Sequence, residues 1–272
     1  MTTRQTIDYF AKVAVGKQAL LRQSPWAFGV SSMLGGAYVG LGIALILSIG
    51  AQLPAEWRRL CMGASFAVAL VLVVLAGAEL FTGHTLYMPL GWLRRQVKAS
   101  DVLRGWLACW LGNLLGSFLV ASLFALGGAN GLLEDPHSLL YRLAEHKLYD
   151  PPLALVARAI LCNWLVCLAL WMCARVDSDA ARCTVIFWCL LAFIGSGYEH
   201  SVANMTVMSL VLIGKQFDPA TLAAALSSLA WVTLGNTLGG ALMVGGAYGL
   251  AQQPKNPPHS TAAVATDEGV SA

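Results

Sequence analysis

The chain has 272 residues, of which 57% are hydrophobic and only 11% are charged, and its net charge is +3. A soluble domain needs about 25% charged residues to cover its surface, so this composition excludes an ordinary soluble protein and predicts one embedded in lipid. The small net charge gives no reason to expect nucleic-acid binding. The length is therefore best divided into membrane crossings, each of which needs about 20 mostly apolar residues.

The amino-terminal segment is polar and amphipathic. Residues 3–22 place apolar side chains at helical spacing among basic ones, and this pattern predicts a helix at the membrane surface. We expect residues 1–25 to form this cytoplasmic helix and residues 26–251 to form a transmembrane domain. Residues 252–272 are rich in Pro, Ser and Ala and carry no apolar face, so they are predicted to be a disordered cytoplasmic tail.

Apolar runs predict the membrane spans. Six of them follow in order, near residues 27–50, 60–80, 103–127, 153–174, 183–213 and 222–250. Six crossings put both termini on the same side. With the termini in the cytoplasm, eleven Lys and Arg residues lie inside and five lie in outer loops. This excess predicts a multi-pass protein of the bacterial inner membrane with both termini cytoplasmic.

Two of these runs carry polar residues at membrane depth. The second run ends in Glu79-Leu-Phe-Thr-Gly-His84, and the fifth contains Glu199 and His200. Irregular backbone at that depth survives only where protein or a water-filled cavity supplies its hydrogen bonds, so both spans are predicted to be broken. Ionisable groups inside a membrane mark transport pathways, which makes Glu199-His200 the leading candidate for chemistry. We expect Glu79 to anchor its break by accepting backbone N–H bonds.

The interruptions recur along the chain. A Gly-x-Glu motif begins at Gly77 and again at Gly197, an offset of 120, and a Leu-Gly-Asn-x-Leu-Gly motif begins at Leu111 and again at Leu234, an offset of 123. Nearly equal offsets indicate a duplication of three spans. Three is odd, so the second copy must enter the membrane upside down. The predicted fold is an all-α membrane protein with six transmembrane helices arranged as an inverted repeat of three, its second and fifth spans broken.

The residues at the breaks do not by themselves identify which ion is transported. Broken helices expose positive N-terminal ends, which attract anions, and also carbonyl ends, which suit cations. Lys147 lies in the long outer loop. Two interpretations are open: it attracts anions to the outer mouth, or it is an ordinary surface lysine. The seven cysteines form no CxxC pair, so neither a metal site nor a disulfide framework is predicted.

Four segments together resemble the formate–nitrite transporter family, and the likeness covers roughly residues 5–250. The segments are Ala78–Thr82, Asn163–Ala169, Ser196–Met205 and Gly235–Gly239. The resemblance implies an aquaporin-like fold, a homopentamer and one pore for small anions in each protomer. It implies that His200 is the central pore histidine and that Thr82 is its partner. The polar positions that it places around the pathway are Lys147, Asn163, Glu199 and Asn204. The apolar constriction residues that it implies are Phe66, Leu70, Leu80, Val166 and Phe193.

Within the family, three stretches resemble its nitrite-conducting branch: Leu80–Thr85, Cys162–Trp164 and Trp231–Thr237. Formate channels of the family typically carry Asp where Glu79 stands and Ser-Thr where Gly83-His84 stands. The resemblance therefore implies a nitrite channel or transporter that is not an enzyme and needs no cofactor, with His200 as a candidate proton donor. A formate or hydrosulfide channel of the same family is the alternative.

Two more distant alternatives fit less well. A water or glycerol channel of similar architecture would show two Asn-Pro-Ala turns, and this sequence contains none. A membrane subunit of a haem oxidoreductase would need several histidines stacked within its spans as axial ligands. Only His84 and His200 are predicted to lie at membrane depth, and the family motif already accounts for His200.

Overall fold

The computed structural model describes residues 1–252, and every element in that range is helical. The predicted tail falls almost wholly outside the described residues. In chain order the helices are α1 Thr3–Gln23, α2 Pro25–Gln52, α3 Ala55–Leu75, α4 Phe81–Leu93, α5 Ala99–Leu126, a 3₁₀ turn Ala129–Gly131, α6 Leu139–Tyr149, α7 Pro152–Cys173, α8 Asp179–Gly195, α9 Ser201–Gly214, α10 Pro219–Leu238, a π-helical segment Gly239–Gly246 and α11 Ala247–Ala251. This order confirms the predicted all-α membrane fold.

The helices account for the six predicted spans. Five stretches are long and apolar enough to cross a membrane: α2, α3, α5, α7 and the run Pro219–Ala251. The remaining span is divided between α8 and α9, of 17 and 14 residues. The α3 helix is likewise followed, after a break, by the 13-residue helix α4. The second and fifth spans are therefore each two helical pieces, as the polar interruptions predicted.

The same local geometry produces both breaks. Gly77 has a φ of 79° and Gly197 a φ of 71°, values in the left-handed region that glycine adopts without steric cost. Immediately afterwards the N–H of Ala78 donates to the Val73 carbonyl at 3.0 Å, and the N–H of Tyr198 donates to the Phe193 carbonyl at the same distance. The chain then runs extended for a few residues before a new helix starts. Each glycine is thus the residue that ends its first half-helix.

Helix packing repeats between the two halves of the chain. The α2 helix packs against α3 and α5, as α7 packs against α8 and α10. The short helices α1 and α6 precede the first span of each half, and they pack against α4 and α9 respectively. The halves meet where α3 packs on α8 and where α5 packs on α9. These equivalent contacts are the packing expected of an inverted repeat.

The first helix buries its predicted apolar face within the protein. Ile7, Phe10, Ala11 and Ala14 are all buried, and Phe10 stacks on the rings of Tyr87 and Trp171. The basic side chain of Arg22 reaches Asp101 at the start of α5, at 2.7 Å. The α1 helix is therefore packed onto the bundle through the face that the sequence identified as apolar.

Candidate functional site

The two breaks bring the starts of α4 and α9 together near the centre of the molecule. Leu80 precedes the first turn of α4, and His200 precedes the first turn of α9. The Oγ1 atom of Thr82 lies 3.1 Å from Nε2 of His200, and both side chains are buried. Because each helix begins here, the partial positive charge of both helix dipoles is directed at this point.

The backbone around this pair is fixed by two equivalent asparagines. Asn113 of α5 accepts the N–H of Phe81 at 2.8 Å, and its amide donates to the carbonyls of Ser32 and Glu79 at 2.7 and 2.8 Å. Asn113 thereby joins α2, the first break and α4. The Phe81 N–H and the Glu79 carbonyl lie at the break, where no helical partner is available to them in a buried region.

Asn236 of α10 does the same in the second half. It accepts the N–H of Ser201 at 2.8 Å, and it donates to the carbonyls of Ala159 and Glu199 at 2.8 and 2.9 Å. Asn113 and Asn236 are the asparagines of the repeated Leu-Gly-Asn motif. The sequence analysis matched their positions but gave them no role, and the repeated offset was the signal that pointed to them.

The tautomer of His200 follows from its contacts. Its Nδ1 atom accepts the N–H of Ala203 at 3.1 Å and so caps α9. A neutral imidazole that accepts at Nδ1 carries its hydrogen on Nε2, which is the atom that faces Thr82. In this arrangement His200 presents a hydrogen-bond donor to the centre of the molecule.

Apolar side chains enclose this donor. A cavity of only about 10 Å³ lies beside His200, and it is lined by Val39, Phe66, Ala69, Leu70, Leu80, Val166, Leu190 and Phe193. Phe66 and Phe193 meet edge to face at 5.6 Å, and the Phe193 ring stacks on the His200 imidazole at 5.9 Å. All five residues predicted for a constriction are therefore brought together around one very small space.

A larger cavity, of about 540 Å³, opens from His200 toward α6 and the start of α3. Its lining includes several cationic side chains, Arg58, Arg59, Arg142, Lys147 and Arg158. Lys147 donates to Glu199 Oε2 and to Asn204 Oδ1, both at 2.8 Å, and the Asn204 amide donates to the same Glu199 oxygen at 2.7 Å. The predicted polar residues Lys147, Glu199 and Asn204 thus form one cluster in the lining of this cavity.

Arg158, a charged residue within a span, pairs with Asp150 in the loop before α7. The hydrogen bond from its guanidinium is the main reason that the pKa of Asp150 lies below its ordinary value. The Arg158 backbone carbonyl also accepts the N–H of Glu199 at 3.4 Å. No partner for Arg158 could be predicted from the sequence, since an aspartate eight residues earlier in a predicted loop has no visible connection to the helix.

Asn163 lies behind the central pair and does not contact His200 directly. Its amide donates to Thr85 Oγ1 at 2.7 Å and to the Asn236 carbonyl at 2.6 Å, with a longer contact of 3.4 Å to the Thr82 carbonyl. The Thr85 hydroxyl in turn donates to the Thr82 carbonyl at 2.7 Å. Asn163 therefore holds the first turn of α4 in place.

Glu79 departs from its expected role. Its carboxylate accepts no backbone N–H in the described structure; Oε1 lies 2.5 Å from Lys17 Nζ and Oε2 lies 2.8 Å from His84 Nε2. The backbone-anchoring task that the sequence analysis assigned to Glu79 is carried out by Asn113. The contact with Lys17 was missed because it joins residues 62 positions apart, and nothing distinguishes Lys17 in sequence from other basic residues of an amphipathic helix.

Comparison with known proteins identifies the family. The family model described as "Formate/nitrite transporter" matches residues 4–250. The chain is 46% identical to the nitrite transporter NirC of Escherichia coli over 258 residues, which are 93% of this chain and 94% of that protein.

Two solved structures resemble the fold. One, titled "FNT family ion channel", is 45% identical with a TM-score of 0.88, and the match covers 92% of this chain and all of that one, at 100%. The other, titled "Pentameric formate channel with formate bound", is 27% identical with a TM-score of 0.69, covering 85% of this chain and 98% of that one. The chain described here belongs to the formate/nitrite transporter family.

Proposed function

We propose that the protein is a channel that conducts nitrite and other small monovalent anions through a pore within each protomer. The observation that carries this proposal is the Thr82–His200 pair, which lies where two half-helices begin, enclosed by an apolar constriction and reached from a cationic cavity. The similarity to a relative named as a nitrite transporter supports nitrite as the anion.

The first step of conduction is the attraction of anions into the outer cavity. Its arginines and Lys147 create a positive potential that raises the local concentration of anions at the mouth. Lys147 is paired with Glu199 and Arg158 with Asp150, so Arg58, Arg59 and Arg142 provide most of the excess positive charge. An anion that leaves this cavity must shed water to enter the constriction, a desolvation that costs several kcal/mol even after relaxation.

The central pair offsets part of that cost. The Nε2–H of His200 donates a hydrogen bond to an anion at the constriction, and the helix ends of α4 and α9 add favourable partial charges. A second role for His200, as the donor of a proton to nitrite, would make the crossing species neutral. Protonation of both imidazole nitrogens would break the bond that Nδ1 accepts from Ala203, so the geometry favours the hydrogen-bonding role.

Formate is the main alternative substrate, since a structural relative is titled as a formate channel with formate bound. Hydrosulfide is a further small anion of the same charge. All three would meet the same cationic cavity and the same donor. The sequence difference that we use to favour nitrite over formate is Gly83-His84 of α4, where formate channels of the family typically have Ser-Thr.

The same relatives support an assembly and a location. We propose a homopentamer in the bacterial inner membrane, with both termini in the cytoplasm and with residues 26–251 forming the channel domain. The structural relative titled as pentameric supports the assembly. Under this topology α1 and Lys17 lie at the cytoplasmic mouth, and α6 and Lys147 lie at the outer one.

The test is anion flux into proteoliposomes, comparing nitrite with formate at two pH values. We expect nitrite to be faster, and His200→Ala to reduce nitrite flux about 10-fold or more because the central donor is lost. His137→Ala, which changes an exposed histidine of an outer loop, is the matched control. Flux dominated by formate would overturn the substrate, and wild-type flux equal to that of empty liposomes would overturn the channel.

His200→Gln separates the two roles of the histidine. Glutamine keeps a donor but cannot be protonated near neutral pH. A proton-donor role predicts that this variant loses the wild-type pH dependence of nitrite flux, whereas a hydrogen-bonding role predicts that the dependence is kept. The control is again His137→Ala.

A further inference from the structure

Glu79 lies at the centre of a buried cluster in the first break that the proposed mechanism does not use. One carboxylate oxygen contacts Lys17 of α1, and the other contacts the imidazole of His84. The Lys17 side chain is 29% exposed, that of Glu79 is 5% exposed, and that of His84 is fully buried. The cluster therefore extends from the solvent side of α1 into the interior of the bundle.

The second half of the chain contains an equivalent cluster with one chemical difference. Glu199 binds Lys147 and Asn204, as Glu79 binds Lys17 and His84. In both halves the second partner lies five residues after the glutamate and contacts it at 2.7 to 2.8 Å. An amide that cannot titrate near neutral pH stands in one cluster, and an imidazole that can titrate stands in the other.

The groups around His84 come from several elements. The charged groups are Glu79 in the break and, on the far side of its carboxylate, Lys17 of α1. The titratable groups are Tyr87 of α4, whose ring centroid is 5.4 Å from that of His84, and Cys109 of α5, a buried thiol 3.9 Å from Asn113 Oδ1.

The remaining neighbours of His84 are uncharged. The α2 helix contributes the ring of Phe28, edge on at 5.7 Å, and the Trp106 indole of α5 donates to the His84 backbone carbonyl at 3.1 Å. Gly83 leaves room for the Tyr87 hydroxyl, because a Cβ at Gly83 would lie 2.1 Å from that oxygen. Tyr87 therefore packs against both residues of the Gly83-His84 dipeptide.

One nitrogen of His84 remains available. Its Nε2 is engaged by Glu79, while Nδ1 is buried and has no hydrogen-bond partner among the described residues. Nδ1 faces Gly105 of α5, where an added Cβ would lie 3.9 Å away. A neutral imidazole that donates to Glu79 through Nε2 leaves a free lone pair on Nδ1, which is the atom to which a proton would add.

We propose that His84 binds and releases a proton and so makes the cytoplasmic mouth of the pore respond to pH in a way that the outer mouth does not. With His84 neutral, Lys17 and Glu79 cancel, as Lys147 and Glu199 do. With His84 protonated, the cytoplasmic cluster carries a net charge of +1, which attracts anions to that mouth. The proposal rests on the proposed anion channel, whereas the proton site itself is independent of the substrate.

The first test measures the proton directly. Protein labelled with ¹⁵N-histidine would be titrated by NMR over about pH 5 to 8, the range in which histidine ordinarily changes charge. The His84 resonance is assigned by its absence from His84→Gln. We expect it to shift with pH as a proton is gained. A resonance that does not move across this range would overturn the proposal, whether or not the protein conducts anions.

The second test measures the consequence. Nitrite flux would be compared between the wild type and His84→Gln, which keeps a donor toward Glu79 but cannot be protonated, at several symmetric pH values. We expect the ratio of wild-type to variant flux to be near 1 at about pH 8 and to rise several-fold at about pH 5.5, as His84 gains its charge. A ratio that is the same at every pH would mean that His84 is only structural, and would overturn the proposal.

Two controls keep these tests separate. His84→Asn gives the cytoplasmic cluster the composition of the outer one and serves if His84→Gln does not fold. His137→Gln, in an exposed outer loop, is expected to leave the pH profile of the wild type unchanged. If the wild type conducts no anion, the proposed function fails, and the NMR titration alone decides whether the proton site exists.

Discussion

At the scale of single residues, the breaks depend on side chains that replace missing backbone partners. Asn113 and Asn236 each bind the first N–H of the half-helix after a break, the carbonyl of the glutamate in that break and one carbonyl of a neighbouring helix. In a membrane interior, water is not available to serve instead. The asparagines are therefore the residues on which the positions of Thr82 and His200 depend.

Replacement of Asn236 by Ala is expected to destabilise the protein by about 3 kcal/mol, because three buried backbone groups lose their partner. Thermal unfolding in detergent measures the change. Thr237→Ala on the same helix removes only a hydroxyl that donates to the Thr233 carbonyl, and it should cost much less. Equal losses for the two variants would contradict this role for Asn236.

Individual residues could be singled out from the sequence where a motif was local, whereas contacts between distant residues could not be predicted. The motifs that contain Thr82 and His200 were recognisable, and the structure places their side chains 3.1 Å apart. The partners of Glu79 were not predicted, since Lys17 lies on a separate helix. His84 stood out as a polar residue at membrane depth, but its contact with Glu79 requires the turn at Gly77 to be known in three dimensions.

At the scale of helices, close packing between α2 and α5 keeps the first half rigid. A Cβ at Gly116 would lie 1.8 Å from the Met33 carbonyl oxygen, so the two backbones are in direct contact. Small residues permit this approach in membrane bundles, where van der Waals packing replaces the hydrophobic effect as the force that holds helices together. Asn113, one turn earlier on α5, reaches the carbonyl of Ser32 because of this contact.

Gly116→Ala should therefore push α5 away from α2 and disturb the Asn113 hydrogen bonds. We expect a loss of about 1–3 kcal/mol in stability, the usual cost of overpacking, and a lower anion flux. Gly29→Ala, on the facing helix α2 where nothing lies within 4 Å of an added Cβ, is the control and should be close to neutral. Detergent melting curves and liposome flux would be measured for both.

Helix-level prediction captured the six spans and both breaks, because apolar runs and Gly-x-Glu interruptions are visible in sequence. Two helical features were missed. The α6 helix was treated as an outer loop, since its 11 residues include Arg142, Glu145 and Lys147 and form no long apolar run. The π-helical segment Gly239–Gly246, which packs against α4 and α7, was also unforeseen.

At the scale of the whole molecule, duplication explains why the two ends of the pore resemble each other. Each half supplies a short helix with a lysine, a broken span with a glutamate and a later span with an asparagine. The lysines lie on α1 and α6, which precede the first spans of the two halves. The inverted repeat was therefore predictable from repeated motifs. The two halves differ at the residue five positions after the glutamate, which is His84 in the first half and Asn204 in the second.

The proposed pentamer can be tested by measuring the mass of the assembled protein. We expect native mass spectrometry of the detergent-solubilised protein to show five copies of the 28.8 kDa chain. Exposed apolar side chains on the outer surface, such as those of Leu103, Leu107 and Leu123, offer a face that lipid or a neighbouring protomer would cover. A mass corresponding to one or two chains would contradict the pentamer and leave the pore within each protomer intact.

The very small space beside His200 has a consequence for cellular energetics. A cavity of about 10 Å³ is at the lower limit for one water molecule, so it cannot contain a continuous chain of waters. Protons that hop along water chains would meet a gap of apolar side chains there. We expect this gap to hinder proton passage, so that anions could cross through the pore without discharging a proton gradient across the membrane.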